Sequence, residues 1–466
     1  MLEADYVIVG AGLTGLAFAD EMLSRSDASM IVVDRRLHPG GHWNDAYDFL
    51  RLHSPGFTYG VNGLPLGTTR IETEGVNRGH FDLSTGRDVC AYFRQVMNER
   101  LLPSGRVTFL PLSDYAEGVA THRVSGARTR LSARRKVVEA GRLATELPVT
   151  HPPRFPVGPS VALIPPNELS RRVSPDVAGY VVIGAGKTAM DAAAWLLAQG
   201  LDPARMTWIR PRDAWLYNRR NLQAHRDVAV DTLSGMSAGL EAAAGASTLD
   251  ELFMRLEAAE ALFRFDPAVM PTMFRCATIT QAERDELARV TNVVRLGHVT
   301  AIEPDRIRLE KGEIPTSPAH LHINCTSDGV PVRPIEPVYQ PGRIVMQFVT
   351  HCSPCSSAAF IAFIEATRTA DEEKNALIRP VPMAERPEDW LRLRLGDARN
   401  VAAWTSHPDI AAWFEAARLD GYALMIAEIE RSPAPASQAA LDRFRRARAA
   451  ALPRIGELVA AAGLQP

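Results

Sequence analysis

Three glycines near the start of the chain have the spacing of a phosphate-binding turn. In Asp5-Tyr6-Val7-Ile8-Val9-Gly10-Ala11-Gly12-Leu13-Thr14-Gly15 they fit G-x-G-x-x-G at Gly10, Gly12 and Gly15. Gly10 permits the tight turn, Gly12 lets a pyrophosphate approach the backbone, and Gly15 lets the following helix pack on the strand. The helix N-terminus then presents free N–H groups and a positive dipole end to the phosphates, with Thr14 in the same turn. Downstream, Met30-Ile31-Val32-Val33 is a second apolar strand that ends at Asp34. A carboxylate there is placed to hold the hydroxyls of an adenosine ribose, and Arg35 to lie over the adenine or reach a phosphate.

A second copy of this pattern opens near residue 180. Tyr180-Val181-Val182-Ile183 is a strand, and Gly184-Ala185-Gly186-Lys187-Thr188-Ala189 fits G-x-G-x-x-A. Met190 to Gln199 reads as a helix with Gly200 as its C-terminal stop. The next strand, Met206-Thr207-Trp208-Ile209, ends at Arg210 instead of an acid, and Arg212 follows. Guanidinium groups at that tip accommodate a 2′-phosphate, which a carboxylate would repel. The second site therefore reads as NADPH-binding and the first as FAD-binding, with a pair of solvated charges as the competing reading of Arg210 and Arg212. Gly186-Lys187-Thr188 also resembles the end of an NTPase P-loop, but the earlier glycine which that motif needs is Val181 here. Lys187 and Thr188 are instead expected beside the NADPH phosphates.

The elements that must position these turns follow from pattern and composition. With 466 residues, the chain is too long for one core. A hydrophobic content of 46% and a charged content of 23% are those of an ordinary globular protein. A net charge of −2 gives no electrostatic footprint for nucleic acid or an anionic membrane. No apolar run approaches the ~20 residues of a membrane span. The first strand starts too near Met1 for a signal peptide, and five cysteines are few and odd in number. Together these features point to a cytoplasmic protein with thiols and no disulfide framework.

Asp88 to Leu102 has helical spacing, Val107 to Leu110 reads as the next parallel strand, and Ala116 to Val138 as an antiparallel meander. Eight prolines between 148 and 175 mark a connection between domains. Thr248 caps an amphipathic helix carrying Leu249, Leu252, Phe253 and Leu256. Arg343 to Phe348 reads as a strand and Ala358 to Thr367 as a helix. From Pro380 onward the chain is helical, broken at Pro433-Ala434-Pro435, with Trp390, Trp404 and Trp413 expected in the core. The expected fold is α/β: two Rossmann-like dinucleotide-binding domains, each three-layered around a parallel sheet with a β-meander, plus a C-terminal helical region. The expected boundaries are 1–155 and 318–380 for a discontinuous FAD-binding domain. The NADPH-binding domain spans 165–317 with a helical insertion around 221–290, and the C-terminal helices 381–466.

Gly40-Gly41-His42-Trp43 resembles the G-G-x-W of class B flavin-dependent monooxygenases. Arg51-Leu52-His53-Ser54-Pro55 is similar to the R-L-H-x-P segment of the plant members of that group, and Thr188, Ala189 and Asp191 to the S-A-x-D of its second fingerprint. The resemblance implies that these loops lie along FAD, with His42 and Trp43 as flavin-side residues and Arg51, His53 and Ser54 as donors at the reacting centre. It further implies that NADPH reduces FAD, that oxygen adds to form a C4a-(hydro)peroxyflavin, and that one oxygen atom passes to a small organic substrate at N, S or C. No metal is required. Two departures place the chain in an outlying branch. Cys325-Thr326-Ser327-Asp328-Gly329 stands where the family has A-T-G, and the stretch from Phe155 lacks the F-x-G-x-x-x-H motif. The runner-up function is a flavin-dependent dehydrogenase, oxidase or dithiol–disulfide oxidoreductase using Cys352 and Cys355, whose C-x-x-C spacing precedes a helix. A catalytically silent flavoprotein is the third.

Overall fold

The computed structural model describes residues 1–326, 329–350, 352–432 and 434–464. Ser327 and Asp328 of the expected return turn, His351 before the C-x-x-C, and Pro433 of the C-terminal break lie outside the described residues.

The first glycine turn sits where the sequence puts it. The strand Leu2–Val9 runs into α1, Leu13–Arg25, and the chain returns as the strand Met30–Val33. These strands pair in parallel with Val9 beside Val33, so Gly10 and Asp34 emerge side by side at the same sheet edge. Helix α2, Gly86–Gln95, is started by a capping box between Thr85 and Asp88. It leads to the parallel strand Val107–Leu110. Ser113–Ala116, Val119–His122 and Arg128–Glu139 then form the antiparallel meander, whose last strand crosses to pair in parallel with Leu2–Val9. Alternation divides the buried side chains of the central strands. Ile8 and Val32 face the helices, while Val7, Ile31 and Val33 face Ala120 and Leu131 of the meander. The unit is thus three-layered: helices, parallel sheet, meander.

A second parallel sheet has the order Val293–Val294, Met206–Ile209, Gly179–Ile183, His320–Asn324, Ala162–Ile164. Helix α3, Pro166–Arg172, connects Ala162–Ile164 to Gly179–Ile183, and α4, Lys187–Ala198, follows the second glycine turn. Here the expected boundary shifts. The sequence pattern assigns His320–Asn324 to the first domain, yet the strand lies between Gly179–Ile183 and Ala162–Ile164. Leu321 and Ile323 pack into this sheet's core with Tyr180 and Val182, which fixes the strand there. The chain rejoins the first sheet only at Tyr339–Gln340 and Arg343–Val345.

The stretch expected as a helical insertion contains α5, Ala229–Ala244, α6, Leu249–Ala258, and α7, Gln281–Leu287. It also contributes the strands Leu262–Phe263 and Met273–Ile279, which flank Ala214–Asn218 in a separate three-stranded sheet. Thr248 caps α6 as expected, accepting from the Glu251 N–H at 3.2 Å. The apolar face of α6 does not cover the nucleotide sheet. Leu252, Phe253 and Leu256 pack with Trp215 and with residues of the C-terminal helices.

Helix α8 spans Pro354–Thr367, one turn longer at its start than Ala358 suggests, because Pro354 stands in the first turn, where its missing N–H costs nothing. It packs along α1 and is followed by α9, Asp371–Leu377. The C-terminal region is α10, Asp389–Thr405, α11, Pro408–Ala416, α12, Tyr422–Arg431, and α13, Pro435–Ala461. Trp390, Trp404 and Trp413 are all buried in the core. Among the described residues no helix is long and apolar enough to cross a membrane.

At Gly15 a Cβ would stand 2.0 Å from the Gly10 carbonyl oxygen, a contact that only displacement of α1 from the turn could relieve. Gly15→Ala is expected to cost about 3 kcal/mol or more by overpacking, read as a lower melting temperature of the intact chain. An unchanged melt would mean that α1 does not seat on the turn as described.

Candidate functional site

The two glycine turns are built alike and differ in what surrounds them. At the first, Gly10 adopts φ +113° and its N–H donates to the Val33 carbonyl at 2.8 Å. The parallel register brings Asp34 against the turn, where its carboxylate accepts from the Ala11 N–H at 2.7 Å and from the Arg36 N–H at 2.8 Å. Thr14, expected as a cofactor ligand, donates its hydroxyl to the Ala140 carbonyl at 2.8 Å and so pins the end of the meander beside Gly10. Arg35 is exposed.

The Gly40-Gly41-His42-Trp43 loop folds directly onto this turn. The Gly40 N–H donates to the Ala11 carbonyl at 2.8 Å, and a Cβ on Gly41 would stand 3.0 Å from the Gly12 Cα. His42 stacks on Trp43 with centroids 5.5 Å apart, and Trp43 Nε1 donates to the Tyr59 hydroxyl at 2.7 Å. Burial, helped by the Arg36 charge, lowers the His42 imidazole to about 4, so it is neutral at pH 7. Burial also raises the Tyr59 hydroxyl well above its ordinary value. The first turn of α8 lies near Tyr59. It carries Ser356, whose hydroxyl is buried without a hydrogen-bond partner.

At the second turn Gly184 adopts φ +137°, and Gly186 faces open space, with no atom within 4 Å of where a Cβ would stand. That opening is what a pyrophosphate needs. Lys187, however, is already engaged. Its ammonium lies 2.5 Å from Asp191 Oδ1 and 2.5 Å from Glu283 Oε1. Glu283 also accepts from Arg219 Nη2 at 3.0 Å, and the Tyr47 hydroxyl donates to Asp191 at 2.7 Å, with Thr188 near the same hydroxyl. Arg219 is 2% exposed. It reaches the first unit by donating to the His53 carbonyl at 3.0 Å and to Asn77 Oδ1 at 3.1 Å. Two cations and two carboxylates thus neutralise one another where the two sheets meet. Burial raises the Glu283 carboxyl, but Lys187 and Arg219 together outweigh it and hold the group at about 2. Asp191 shares only Lys187, and burial wins there, pushing it up.

His53 stands beside this cluster. Burial and the Lys187 and Arg219 charges lower its ring to about 3, so it is a neutral donor–acceptor. Ser54 is half-buried next to it. His42, Tyr47, His53, Tyr59, Lys187 and Asp191 are each half-buried.

Two expected site residues lie elsewhere. Arg51 is turned to the exterior, where it pairs with Glu72 and donates to the Leu83 carbonyl at 3.0 Å. Arg210 is 4% exposed, with its guanidinium carbon 4.8 Å from the Trp208 ring centroid and 5.0 Å from that of Phe265. Asp213 lies 3.4 Å from it, and Nε has no partner. Arg212 remains at the surface, 3.6 Å from Glu385.

The C-x-x-C reading is overturned. Cys352 is bonded to Cys276, while Cys355 is a free buried thiol pushed up to about 12 by its burial. The Cys276–Cys352 pair, 76 positions apart, is invisible to local spacing. Sequence reading also missed Tyr47, Tyr59, Arg219 and Glu283. Only Glu283 left a trace, as the fourth residue of Thr280-Gln281-Ala282-Glu283, the sequence pattern of a helix start.

Residues 8–71 match the NAD(P)-binding Rossmann-like domain family. The Mycobacterium tuberculosis protein named "Uncharacterized protein Rv2000" is 40% identical over 432 residues, covering 93% of this chain and 80% of the relative. The chain belongs to the same family as Rv2000. Among solved structures it is similar to a cyclohexanone monooxygenase bound to epsilon-caprolactone, with a TM-score of 0.49 and 14% identity over 92% of this chain and 98% of the other. It is also similar to a flavin-containing monooxygenase of Stenotrophomonas maltophilia, with a TM-score of 0.43 and 15% identity over 81% and 99%.

Glu283 carries a pH signature. A carboxyl held at about 2 against an ordinary 4.5 adds stability above pH 4.5, which is lost as pH falls toward 2. Glu283→Gln is expected to lower stability at pH 7 by about 3–5 kcal/mol, since it leaves buried cations short of a partner. The gap from the parent protein should close between pH 4.5 and 2, as followed by denaturant titration at stepped pH. A gap that stays constant with pH would remove the charge argument.

Proposed function

We propose that the protein is an NADPH-dependent, FAD-containing monooxygenase that oxygenates a small organic substrate. The observation that carries this reading is the meeting of two glycine-turn nucleotide folds at the buried Lys187, Asp191, Glu283 and Arg219 cluster, from which Arg219 reaches the His53 carbonyl of the first fold. FAD fits the first fold. Gly10 makes the turn, Gly15 seats α1 against it, Gly12 puts no side chain in the way of a pyrophosphate, and Asp34 has carboxylate lone pairs left for the ribose. The partnerless Ser356 hydroxyl and the uncapped N–H groups of α8 would face the flavin. NADPH fits the second at Gly184 and Gly186. Bound FAD would supply hydride acceptance and oxygen activation.

The chain's own residues bind, orient and exclude water. His42 and Trp43 close the flavin-side loop over the first turn. His53, held neutral, offers a hydrogen bond beside the Lys187 and Arg219 cluster without adding charge, with Ser54 next to it. Thr188 and the Lys187 cluster fix the start of α4, so Lys187 acts on the cofactor through position. Arg51 braces the loop that carries His53 through its pairing with Glu72. Recognition of the 2′-phosphate falls to Arg212, with Arg210 joining only by leaving its place between Trp208 and Phe265. Excluding water lowers the local dielectric and strengthens each of these interactions. Substrate and molecular oxygen are the expected partners.

The test is rapid mixing. NADPH should bleach the flavin anaerobically, and oxygen should then produce a transient absorbance distinct from both oxidised and reduced flavin. Added amine, sulfide or ketone should hasten its decay. Direct return to the oxidised spectrum with stoichiometric hydrogen peroxide would favour an oxidase or dehydrogenase. In the same assay Arg212→Ala should raise the KM for NADPH about tenfold, the loss expected for one hydrogen bond to a charged group, and leave the NADH value unchanged.

A further inference from the structure

The geometry points to the Cys276–Cys352 bond as a thiol-exchange site: a low-molecular-weight thiol opens it at Cys352, and its state sets how firmly the nucleotide half is held against the flavin half. This rests on the proposed flavin–NADPH reading for its consequence, though not for its chemistry.

The two cysteines come from different units. Cys276 lies in the strand Met273–Ile279, which pairs with Ala214–Asn218 in the sheet beside the nucleotide fold. Cys352 lies in the loop that enters α8, the helix packed on α1 of the first unit. Their Cα atoms are 6.5 Å apart. Both residues adopt left-handed backbone, with φ of +56° at Cys276 and +54° at Cys352. Non-glycine residues take that conformation only where surroundings impose it. Two such residues facing each other across one bond indicate that the bond holds both strand and loop.

Position gives the bond a consequence. Arg275, next to Cys276, lies 4.0 Å from the Glu385 carboxylate that Arg212 also approaches at 3.6 Å. The Phe274 N–H donates to the Glu385 carbonyl at 3.0 Å. Arg212 is the surface arginine assigned to the 2′-phosphate. At the other end, Cys355 sits in the first turn of α8 near Tyr59 on the flavin-side wall. One covalent link therefore joins the neighbourhood of the nucleotide-recognising arginine to the entry of the flavin-side helix.

Access favours attack at one sulfur. Cys352 is exposed, whereas Cys276 is half-buried. A thiolate RS⁻ attacks the Cys352 sulfur, the S–S bond breaks, and Cys276 leaves as a thiolate that takes a proton from water. A second RS⁻ attacks the RS sulfur of the mixed disulfide and releases RSSR and the Cys352 thiolate. Two electrons pass from two thiols to the protein, and exchange with RSSR runs the sequence backward. Cys355 is buried and stays protonated, so it does not compete as the resolving thiol.

The experiment uses the full chain with its bound cofactor, poised in glutathione and glutathione disulfide. Maleimide counting after denaturation should find three thiols (Cys90, Cys325 and Cys355) in the oxidised protein and five in the reduced. Reduction should lower the melting temperature and raise the KM for NADPH at least about fivefold, and the Cys276→Ser/Cys352→Ser protein should behave as the reduced form in both buffers. Five thiols under oxidising conditions would overturn the exchange site. A count that changes with no shift in melting temperature or KM would overturn the coupling. Thiol count and melting temperature decide the exchange site even if the protein takes up no flavin, so its failure is separable from failure of the monooxygenase reading.

Discussion

Four charges removed from water must neutralise one another or the fold does not close, and in this protein they do so at the junction of the two nucleotide folds. Lys187 and Asp191 come from the start of α4, Glu283 from α7, and Arg219 from the segment after Ala214–Asn218. Each needs the others in place, because a buried charge without its partner costs several kcal/mol. Arg219 converts this local requirement into an interdomain one. Its remaining donors reach the His53 carbonyl and Asn77 of the first unit. The Tyr47 hydroxyl and the stack of Phe49 on Trp195, with centroids 5.1 Å apart, add a second tie from the same loop. The loop bearing His53 is therefore set by charges in the second unit, and the neutrality of its ring follows from its burial, helped by the Lys187 and Arg219 charges.

A different constraint acts at the glycine turns. Parallel register places the end of each first strand beside the end of its neighbour, so the residue after the second strand always meets the turn. In the first unit that residue is Asp34, which grips the turn's own backbone. In the second it is Arg210, and the space beside it is filled by Trp208 and Phe265, so the side chain is enclosed. The same topology with different neighbouring volume thus yields a buried acid bonded to the turn in one site and an arginine enclosed by aromatic rings in the other.

The C-terminal helices are part of this architecture and do not hang from it. Helices α10 and α13 supply the apolar partners of α6 and of Trp215. Arg418, between α11 and α12, donates to the carbonyls of Phe57, Tyr59, Val61 and Leu64, so the wall that carries Tyr59 is gripped from the far end of the chain. Trp413 Nε1 donates to Glu21 on α1 at 2.7 Å. The segment with no nameable sequence motif is what braces both the wall that carries Tyr59 and the inserted helices.

By itself the sequence determined the features that live in short windows. Glycine spacing fixed both turns and their helices, strand composition fixed the central strands of both sheets, and Thr248 fixed the start of α6. These are local because the physics is local: φ preferences, capping bonds and two- or 3.6-residue periodicity need only near neighbours. Only the tertiary structure decided which sheet takes His320–Asn324, because strands of equal apolarity differ only in the core that receives them. It alone showed Arg51 on the surface, Arg210 enclosed, and Lys187 bound to two carboxylates, one of them 96 residues away. It alone paired Cys276 with Cys352 over the nearer C-x-x-C partner. Charge pairing, enclosure and cross-linking depend on distances through space, and contacts between residues far apart in the chain leave no period or motif to read.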